Sequence, residues 1–132
     1  MNKASKVHIA IIDDDTLVRE SLCDSAESAG YSVEAFASAE EFLASNSDQN
    51  AVCLMVDIAC LILDIQLPGM TGLELQRWLR NVAGPPIVFV TAKATDANRE
   101  RALKMGAKGF LSKPVRRQDL LNAIKVAISS RS

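Results

Sequence analysis

The sequence predicts an α/β domain in which helices cover both faces of a parallel β-sheet. Strand-like apolar runs alternate five times with helical patterns along the 132 residues. The run IVFVT (87–91) is continuous and rich in β-branched residues, which is typical of a strand buried on both faces. A chain of this length is enough for one domain with a proper core, and we expect a single domain over residues 1–132.

Composition and charge argue against several classes of protein. The formal net charge of −1 gives no sign of a nucleic-acid surface, so we expect DNA contact only through a domain outside this chain. There is no signal-peptide pattern and no apolar run of about 18 residues, so we expect no membrane span and a cytoplasmic location. The three cysteines lack C-x-x-C spacing, which favours buried thiols over a zinc site or disulfides.

Five strands are predicted from apolar runs that turn residues interrupt. The third strand falls somewhere within 52–65, where the chain nearly repeats itself. The fifth is short and leads directly to a lysine and a proline. In order, the five runs are VHIAII (7–12), YSVEAF (31–36), the segment within 52–65, IVFVT (87–91) and GFLS (109–112).

Helices are predicted between and after these strands from apolar periodicity and from capping residues. The first ends at Gly30, which has the position of a C′ glycine. Ser38 and Glu41 have the spacing of a capping box, so the second helix begins there. The polar segment SNSDQN (45–50) then predicts a loop. Besides this second helix, helices are expected at about 16–29, 72–82, 97–105 and 117–130.

The third helix has apolar residues at intervals of three, four and seven. These residues are Leu75, Trp78, Leu79 and Val82. We interpret all four as the face that packs on the sheet. Trp78 is therefore expected in the core rather than at a ligand site.

Reactive side chains stand at the predicted carboxyl ends of the strands, where open α/β sheets bind their ligands. Asp13, Asp14 and Asp15 follow the first strand, Thr91 ends the fourth, and Lys113 follows the fifth. Converging carboxylates repel one another, and a hard divalent cation such as Mg²⁺ would relieve that repulsion. With a lysine and a hydroxyl beside them, such a site can accept a phosphoryl group.

The third strand offers two candidate aspartates, because CLMVDIA (53–59) is followed at once by CLILDIQ (60–66). Asp64 is followed by the turn residues LPGMTG (67–72), whereas Asp57 is followed by an apolar run that must continue into the strand. Only one of the two can end the strand, and the turn residues favour Asp64. Asp57 is then an exposed residue at the start of the strand.

Four motifs together resemble the receiver domain of two-component response regulators, over about residues 6–130. They are IIDDD, LILDIQLPGMTG, IVFVTA and GFLSKP, on strands 1, 3, 4 and 5. SAEEFL and CLILDIQLPGMTG are especially similar to receivers that precede a LuxR-type helix-turn-helix output domain. The resemblance implies a CheY-like, flavodoxin-like (βα)5 fold with strand order 2-1-3-4-5.

The resemblance also implies how the acidic residues are used. Asp64 would be the phosphoacceptor and one of the Mg²⁺ ligands. Asp13 and Asp14 match the acidic pair of the family, because the second acid lies five residues before Arg19. Asp14 would bind Mg²⁺ directly and Asp13 through water, and the backbone carbonyl of Gln66 would complete the protein ligands.

The remaining site residues take their roles from the same resemblance. Thr91 would hydrogen-bond the phosphoryl group, Lys113 would pair with it, and the small Ala92 would leave access to it. Phe110, three residues before the lysine, would be the switch aromatic that moves together with Thr91. The peptide before Pro114 matches a cis peptide of the family, which aims the lysine inward.

The function implied is that of a phosphorylation-activated signalling domain rather than an enzyme. A sensor histidine kinase would supply the phosphoryl group, and the domain would also accept it from small phosphodonors and slowly dephosphorylate itself. The surface of helix 4, strand 5 and helix 5 would then change, with homodimer formation as one outcome. An output domain beyond residue 132 would control transcription.

Two alternatives are open at this stage. A haloacid-dehalogenase-type phosphatase also uses a strand-1 aspartate, and Asp13 and Asp15 have its spacing. However, Leu17 stands where that motif needs Thr or Val, Thr16 is one residue early, and no later acidic pair follows. A receiver that only binds partners would have lost its acids, threonine or lysine, all of which are present here.

One feature departs from the pattern of the family. The stretch between Leu43 and Asp64 is several residues longer than in many relatives. We expect the extra residues to extend the second helix or the loop before the third strand.

Overall fold

The computed structural model describes residues 7–45 and 57–130, in which strands and helices alternate. The strands are β1 (His8–Ile12), β2 (Ser32–Phe36), β3 (Ile58–Leu63), β4 (Ile87–Thr91) and β5 (Gly109–Ser112). The helices are α1 (Thr16–Ser28), α2 (Ala39–Ser45), α3 (Gly72–Arg80), α4 (Asp96–Lys104) and α5 (Arg117–Ser129). Within these ranges no helix is long and apolar enough to span a bilayer.

The five strands form one parallel sheet in the order β2-β1-β3-β4-β5. The predicted fold class and strand order are confirmed. In the register between β1 and β3, Ile12 lies beside Leu63. The residues that follow these two strands, Asp13 and Asp64, therefore leave the sheet at the same level.

Helices cover both faces of the sheet, and the alternation of side chains along the strands divides the core in two. Phe42 of α2 and Leu75 of α3 belong to the cluster on one face. Leu22 of α1 and Leu120 of α5 belong to the cluster on the other face. Every residue of β4 is buried, as its continuous apolar sequence predicts.

Local capping explains where the first two helices begin and end. The carboxylate of Asp15 accepts hydrogen bonds from the first turn of α1, and Gly30, with φ of 95°, follows its end. Ser38 Oγ accepts the N–H of Glu41 at 3.0 Å at the start of α2. The Glu41 carboxylate accepts the N–H of Ala37, whereas in the usual capping box it would accept the N–H of the cap residue itself, here Ser38.

The predicted core face of α3 is wrong in two positions. Leu75 and Leu79 are buried, but Trp78 is 41% exposed and Val82 is 46% exposed. Trp78 comes one residue before Leu79, which is a rotation of about 100° around the helix axis. Val82 lies beyond the last helical residue, Arg80, so the helical period no longer sets its direction.

A polar side chain completes the buried face of α3 instead. Gln76 is 1% exposed, and its Nε2 donates to the backbone oxygen of Ala102 at 2.9 Å. Ala102 belongs to α4, so this hydrogen bond joins two helices through residues that are 26 positions apart in sequence. The amide nitrogen satisfies a backbone acceptor there, whereas the buried amide oxygen of Gln76 has no hydrogen-bond partner among the described residues.

Of the two cysteines that the structure describes, both are free, and only Cys60 is buried as expected. Cys60 is fully buried in β3, and burial raises the pKa of its thiol to about 12. Cys23 is half-buried on α1. Cys53, most of the polar segment at 45–50, and the extra residues expected before β3 lie outside the described residues.

Candidate functional site

The ends of β1 and β3 bring two aspartates to one edge of the sheet. The N–H of Asp13 donates to the backbone oxygen of Phe36 at 3.1 Å, and the N–H of Asp64 donates to that of Ile12 at 3.2 Å. The ladder of the sheet thus extends one residue past each strand. Both carboxyl groups are held at the carboxyl edge, and Asp13 and Asp64 are only 1% and 4% exposed.

A single lysine contacts both aspartates and balances part of their charge. Lys113 Nζ lies 2.8 Å from Asp64 Oδ2 and 2.8 Å from Asp13 Oδ2. Its backbone N–H donates to the oxygen of Thr91 at 3.0 Å, which ties the end of β5 to the end of β4. The peptide between Lys113 and Pro114 is cis, as expected. The lysine side chain thus reaches from the edge strand to the centre of the sheet.

Asp13 is held by its neighbours in sequence as well. Its Oδ1 accepts the N–H of Asp15 at 2.9 Å, and its backbone oxygen accepts from the guanidinium of Arg19 at 2.7 Å. Its Oδ2 has only the charge contact with Lys113, whose angle is not that of a hydrogen bond. One buried oxygen of Asp13 is therefore incompletely satisfied.

Burial and charge act in opposite directions on these groups. Burial raises the pKa of Asp13, and this outweighs the lowering by Lys113 and by the N–H of Asp15. For Lys113, burial alone would lower the pKa, but the close contacts with the negative carboxylates of Asp13 and Asp64 together raise it. The lysine is firmly cationic, whereas the carboxylate of Asp13 is costly to keep ionised.

Three carboxylates meet in a way that fits a divalent cation. Asp13, Asp14 and Asp64 each offer one oxygen, and these oxygens all lie within 4.8 Å of one another. One ammonium group balances only part of their charge, and the Asp13 Oδ2 lacks a hydrogen-bond donor. Oxygen ligands of this kind suit a hard cation such as Mg²⁺. The cluster can therefore hold a metal ion.

The loop after Asp64 folds back tightly on the end of β3. The N–H of Gln66 donates to Asp64 Oδ1 at 3.1 Å, and the N–H of Gly72 donates to the oxygen of Ile65 at 2.9 Å. A side chain at Gly72 would collide with the backbone of Asp64 and Ile65. Gly69 has a φ of 74°, a conformation that favours glycine. These glycines explain why LPGMTG marks the end of the strand.

The other predicted site residues lie on β4, directly after it and on β5. Thr91 is fully buried, and its hydroxyl oxygen accepts the N–H of Lys93 at 3.0 Å. Ala92 is exposed and lines an open cleft together with Asp64. Phe110 is 8% exposed, and its ring centroid lies 6.1 Å from that of Phe89.

Asp57 lies away from the cluster. It is exposed and directly precedes Ile58, the first residue of β3, at the opposite end of the strand from Asp64. It lines a groove with His8 and Glu34. This position agrees with the expectation that Asp57 is an exposed residue at the start of the strand.

Sequence reasoning missed one contact to the loop after Asp64. The carboxylate of Glu40, on α2, accepts the N–H of Met70 at 2.7 Å. The two residues are 30 positions apart, and Glu40 reads in the sequence only as part of a helix start. No local pattern signals the contact, because it depends on how α2 packs beside the loop.

The chain belongs to the family of response regulator receiver domains, whose sequence profile matches residues 9–125. It is therefore a phosphoacceptor domain of two-component signal transduction. The family expected from the four motifs is confirmed, and the phosphatase alternative is set aside.

Individual relatives agree with this assignment. The response regulator protein TodT of Pseudomonas putida is 40% identical over 121 residues, which are 91% of this chain and 50% of TodT. The transcriptional regulatory protein FixJ of Bradyrhizobium diazoefficiens is 33% identical over 125 residues, 94% of this chain and 58% of FixJ. The chain spans about half the length of these curated relatives.

A solved structure shows the same fold. The CheY-like response regulator receiver domain protein from Methanospirillum hungatei JF-1 matches with a TM-score of 0.81 and 33% identity. The match covers 96% of this chain and 97% of that protein. The similarity thus extends over the whole receiver fold.

Replacing Asp13 with asparagine should raise the free energy of unfolding when a chelator is present. Burial raises the pKa of Asp13 above its unfolded value of about 4. The group therefore favours the fold below that value, and this contribution is lost as pH rises through the raised pKa. We expect Asp13→Asn to be more stable than the parent at pH 7, measured by urea denaturation, and the difference to vanish toward pH 4.

Asp24→Asn, at an exposed position of α1, is the matched control and should change stability by less than about 0.5 kcal/mol. An Asp13→Asn variant that is less stable than the parent at pH 7 would mean that the attraction of Lys113 exceeds the cost of burial.

Proposed function

We propose that Asp64 is the phosphoacceptor and that a sensor histidine kinase is the phosphodonor. The observation that carries the proposal is the contact of Asp64 Oδ2 with Lys113 Nζ at 2.8 Å, beside Asp13 and at the edge of an open cleft. A carboxylate oxygen of Asp64 attacks phosphorus in line. A P–O bond forms, the P–N bond of the phosphohistidine breaks, and the imidazole leaves with the electron pair.

The neighbouring side chains bind the transferred group. The ammonium of Lys113 neutralises phosphoryl oxygens, which is favourable in a site that excludes much of the water. Thr91 accepts a hydrogen bond from the N–H of Lys93, so its own hydroxyl hydrogen can donate to a phosphoryl oxygen. Ala92, small and exposed at the cleft, keeps the approach to Asp64 open.

Asp13, Asp14, Asp64 and the backbone carbonyl of Gln66 would hold Mg²⁺. When bound, the ion supplies positive charge that offsets the negative charge of the reacting groups. The proximity of the three carboxylates and the incompletely satisfied Oδ2 of Asp13 support this ligand set. Asp14 is exposed, which makes it accessible to an ion that enters from solvent.

Thr91 and Phe110 would form the switch. Side chains alternate along a strand, so Phe89 and Thr91 face the same side of β4. Phe110 lies beside Phe89 and Ser112 beside Thr91, which puts Phe110 on that side as well. A shift of Thr91 toward a phosphoryl group would change the space beside Phe110. The ring then transmits the change to the surface of α4, β5 and α5.

That surface carries apolar side chains suited to a partner. Leu103 on α4 is 39% exposed, and Val126 on α5 is 59% exposed. A second copy of the domain would cover them after phosphorylation. The relatives support a single receiver domain over residues 1–132 whose signal passes to an output domain that controls transcription. We place this signalling in the cytoplasm, with slow self-dephosphorylation as the reset.

Asp64→Asn should abolish formation of the acyl phosphate, while Asp57→Asn should keep most of it. Only Asp64 adjoins Lys113 and the acidic cluster, and Asp57 lies at the other end of β3. The measurement is incorporation from a small phosphodonor with Mg²⁺, followed by peptide mapping. Phosphate mapped to Asp57 would contradict the proposal.

Asp14→Ala should lower the affinity for Mg²⁺ by about tenfold or more, because it removes one of few charged oxygen ligands. Its exposed position predicts little change in the free energy of unfolding with chelator present. Calorimetric titration of Mg²⁺ measures the affinity, and Asp15→Ala serves as the comparison at the neighbouring cap. Equal affinity in the parent and in Asp14→Ala would argue against this ligand.

Thr91→Ala should still accept phosphate on Asp64 but should couple poorly to self-association, because the hydroxyl links the phosphoryl group to the switch. Phe110→Tyr should behave like the parent, and Phe110→Ala should associate more weakly. Sedimentation of each variant with and without beryllofluoride, a phosphate mimic, measures the coupling. A parental response of Thr91→Ala to the mimic would rule out this switch.

A further inference from the structure

The loop between β3 and α3 joins the proposed phosphoacceptor to the rest of the domain. It contains Gln66, whose carbonyl is a proposed metal ligand. The base of the loop is fixed by its own backbone, through the contact of Gly72 with Ile65. The tip, at Gly69 and Met70, lies farther from that base. Its position therefore depends on what touches it from outside the loop.

Glu40 fastens this tip from a neighbouring helix. Its carboxylate accepts the N–H of Met70 at 2.7 Å, a short charge-assisted hydrogen bond. The same carboxylate lies against Gly69, where a Cβ would come within 2.5 Å of Glu40 Oε2. The absence of a side chain at Gly69 thus gives the carboxylate the room it needs beside the loop.

The helix that carries Glu40 is a firm base for such a contact. Glu40 lies in the first turn of α2, where Ala39 and Phe42 are fully buried. The Phe42 ring packs edge-on against Phe36 of β2 at 5.4 Å between centroids. The N–H groups of Met70 and of Glu40 itself lower the pKa of the Glu40 carboxyl, so it is ionised at neutral pH.

We propose that Glu40 is a positioning residue for phosphoryl chemistry at Asp64, because its hydrogen bond with Met70 restrains the tip of the loop whose base carries Gln66. The inference rests on the proposed function and adds to it a residue from α2, an element outside the acidic cluster. Glu40 touches neither the reacting atoms nor the metal ligands. It acts through the backbone of the loop.

The size of the effect follows from the geometry of metal and phosphoryl sites. A ligand displaced by about 1 Å can cost about a hundredfold in rate. Loss of the exposed hydrogen bond of Glu40 should displace the loop by less than this distance, because Leu67, which is only 7% exposed, still anchors the loop in the core. We expect Glu40→Ala to slow phosphorylation of Asp64 by about threefold to tenfold and to weaken Mg²⁺ binding by a similar factor.

The experiment compares three variants of the whole chain. Glu40→Ala removes the acceptor, and Glu40→Gln keeps an oxygen that can accept from Met70. Glu27→Ala removes an exposed helical glutamate of α1 and is the matched control for charge and helix propensity. For each variant, we would measure Mg²⁺ affinity by calorimetry without a phosphodonor, the rate of Asp64 phosphorylation by a small phosphodonor, and amide exchange of Met70.

The expected result is faster exchange of the Met70 amide, weaker Mg²⁺ binding and slower phosphorylation in Glu40→Ala, with values between those of Glu40→Ala and the parent in Glu40→Gln and parental values in Glu27→Ala. An unchanged thermal midpoint would support positioning over general destabilisation. The inference is overturned if Glu40→Ala exchanges Met70 faster yet keeps parental Mg²⁺ affinity and rate. It is also overturned if Glu40→Gln is as impaired as Glu40→Ala.

These outcomes separate the inference from the proposed function. If phosphate in the parent protein maps to a residue other than Asp64, the proposed function fails. The Mg²⁺ titration and the exchange of Met70 need no phosphodonor, so they still decide whether Glu40 positions the loop.

Discussion

The contact of one ammonium group with two buried carboxylates is the interaction on which the site depends. Lys113 Nζ lies 2.8 Å from an oxygen of Asp13 and 2.8 Å from an oxygen of Asp64. Without that charge, two aspartates with almost no exposure would stand side by side at the end of adjacent strands, which is strongly unfavourable. The strand order is what allows the contact, because β1 and β3 are neighbours and β5 lies within reach of a long side chain.

The free-energy cost of burying these charged groups is offset by the apolar packing on both faces of the sheet. The ion pairs leave Asp13 Oδ2 incompletely satisfied, and burial raises the pKa of Asp13. A site of this kind adds little to the free energy of unfolding, and a further positive charge beside it would be favourable. The central strands compensate, since β4 is buried along its whole length and Leu61 and Leu63 of β3 are fully enclosed.

Features set by neighbouring residues could be predicted from the sequence, whereas features set by packing could not. The turn residues after Asp64 marked the end of the third strand, and the spacing of Ser38 and Glu41 marked the start of α2. The exposure of Trp78 could not be predicted, because periodicity shows which residues share one side of a helix but not how much of that side the sheet covers. The contact of Glu40 with the loop after Asp64 has no local sequence signal, because Glu40 and Met70 are 30 positions apart.

The same distinction bears on how a signal would leave the site. The acidic cluster lies at the centre of the sheet, whereas β5 pairs only with β4 in the described sheet and lies at its edge. Movement of an edge strand disturbs one ladder rather than two. Lys113 belongs to both regions, because its side chain reaches Asp64 and its backbone is tied to Thr91. If Asp64 is phosphorylated as proposed, the new charge would act on Lys113 as well as on Thr91, and the backbone of Lys113 would link that change to β5, the strand that contains Phe110.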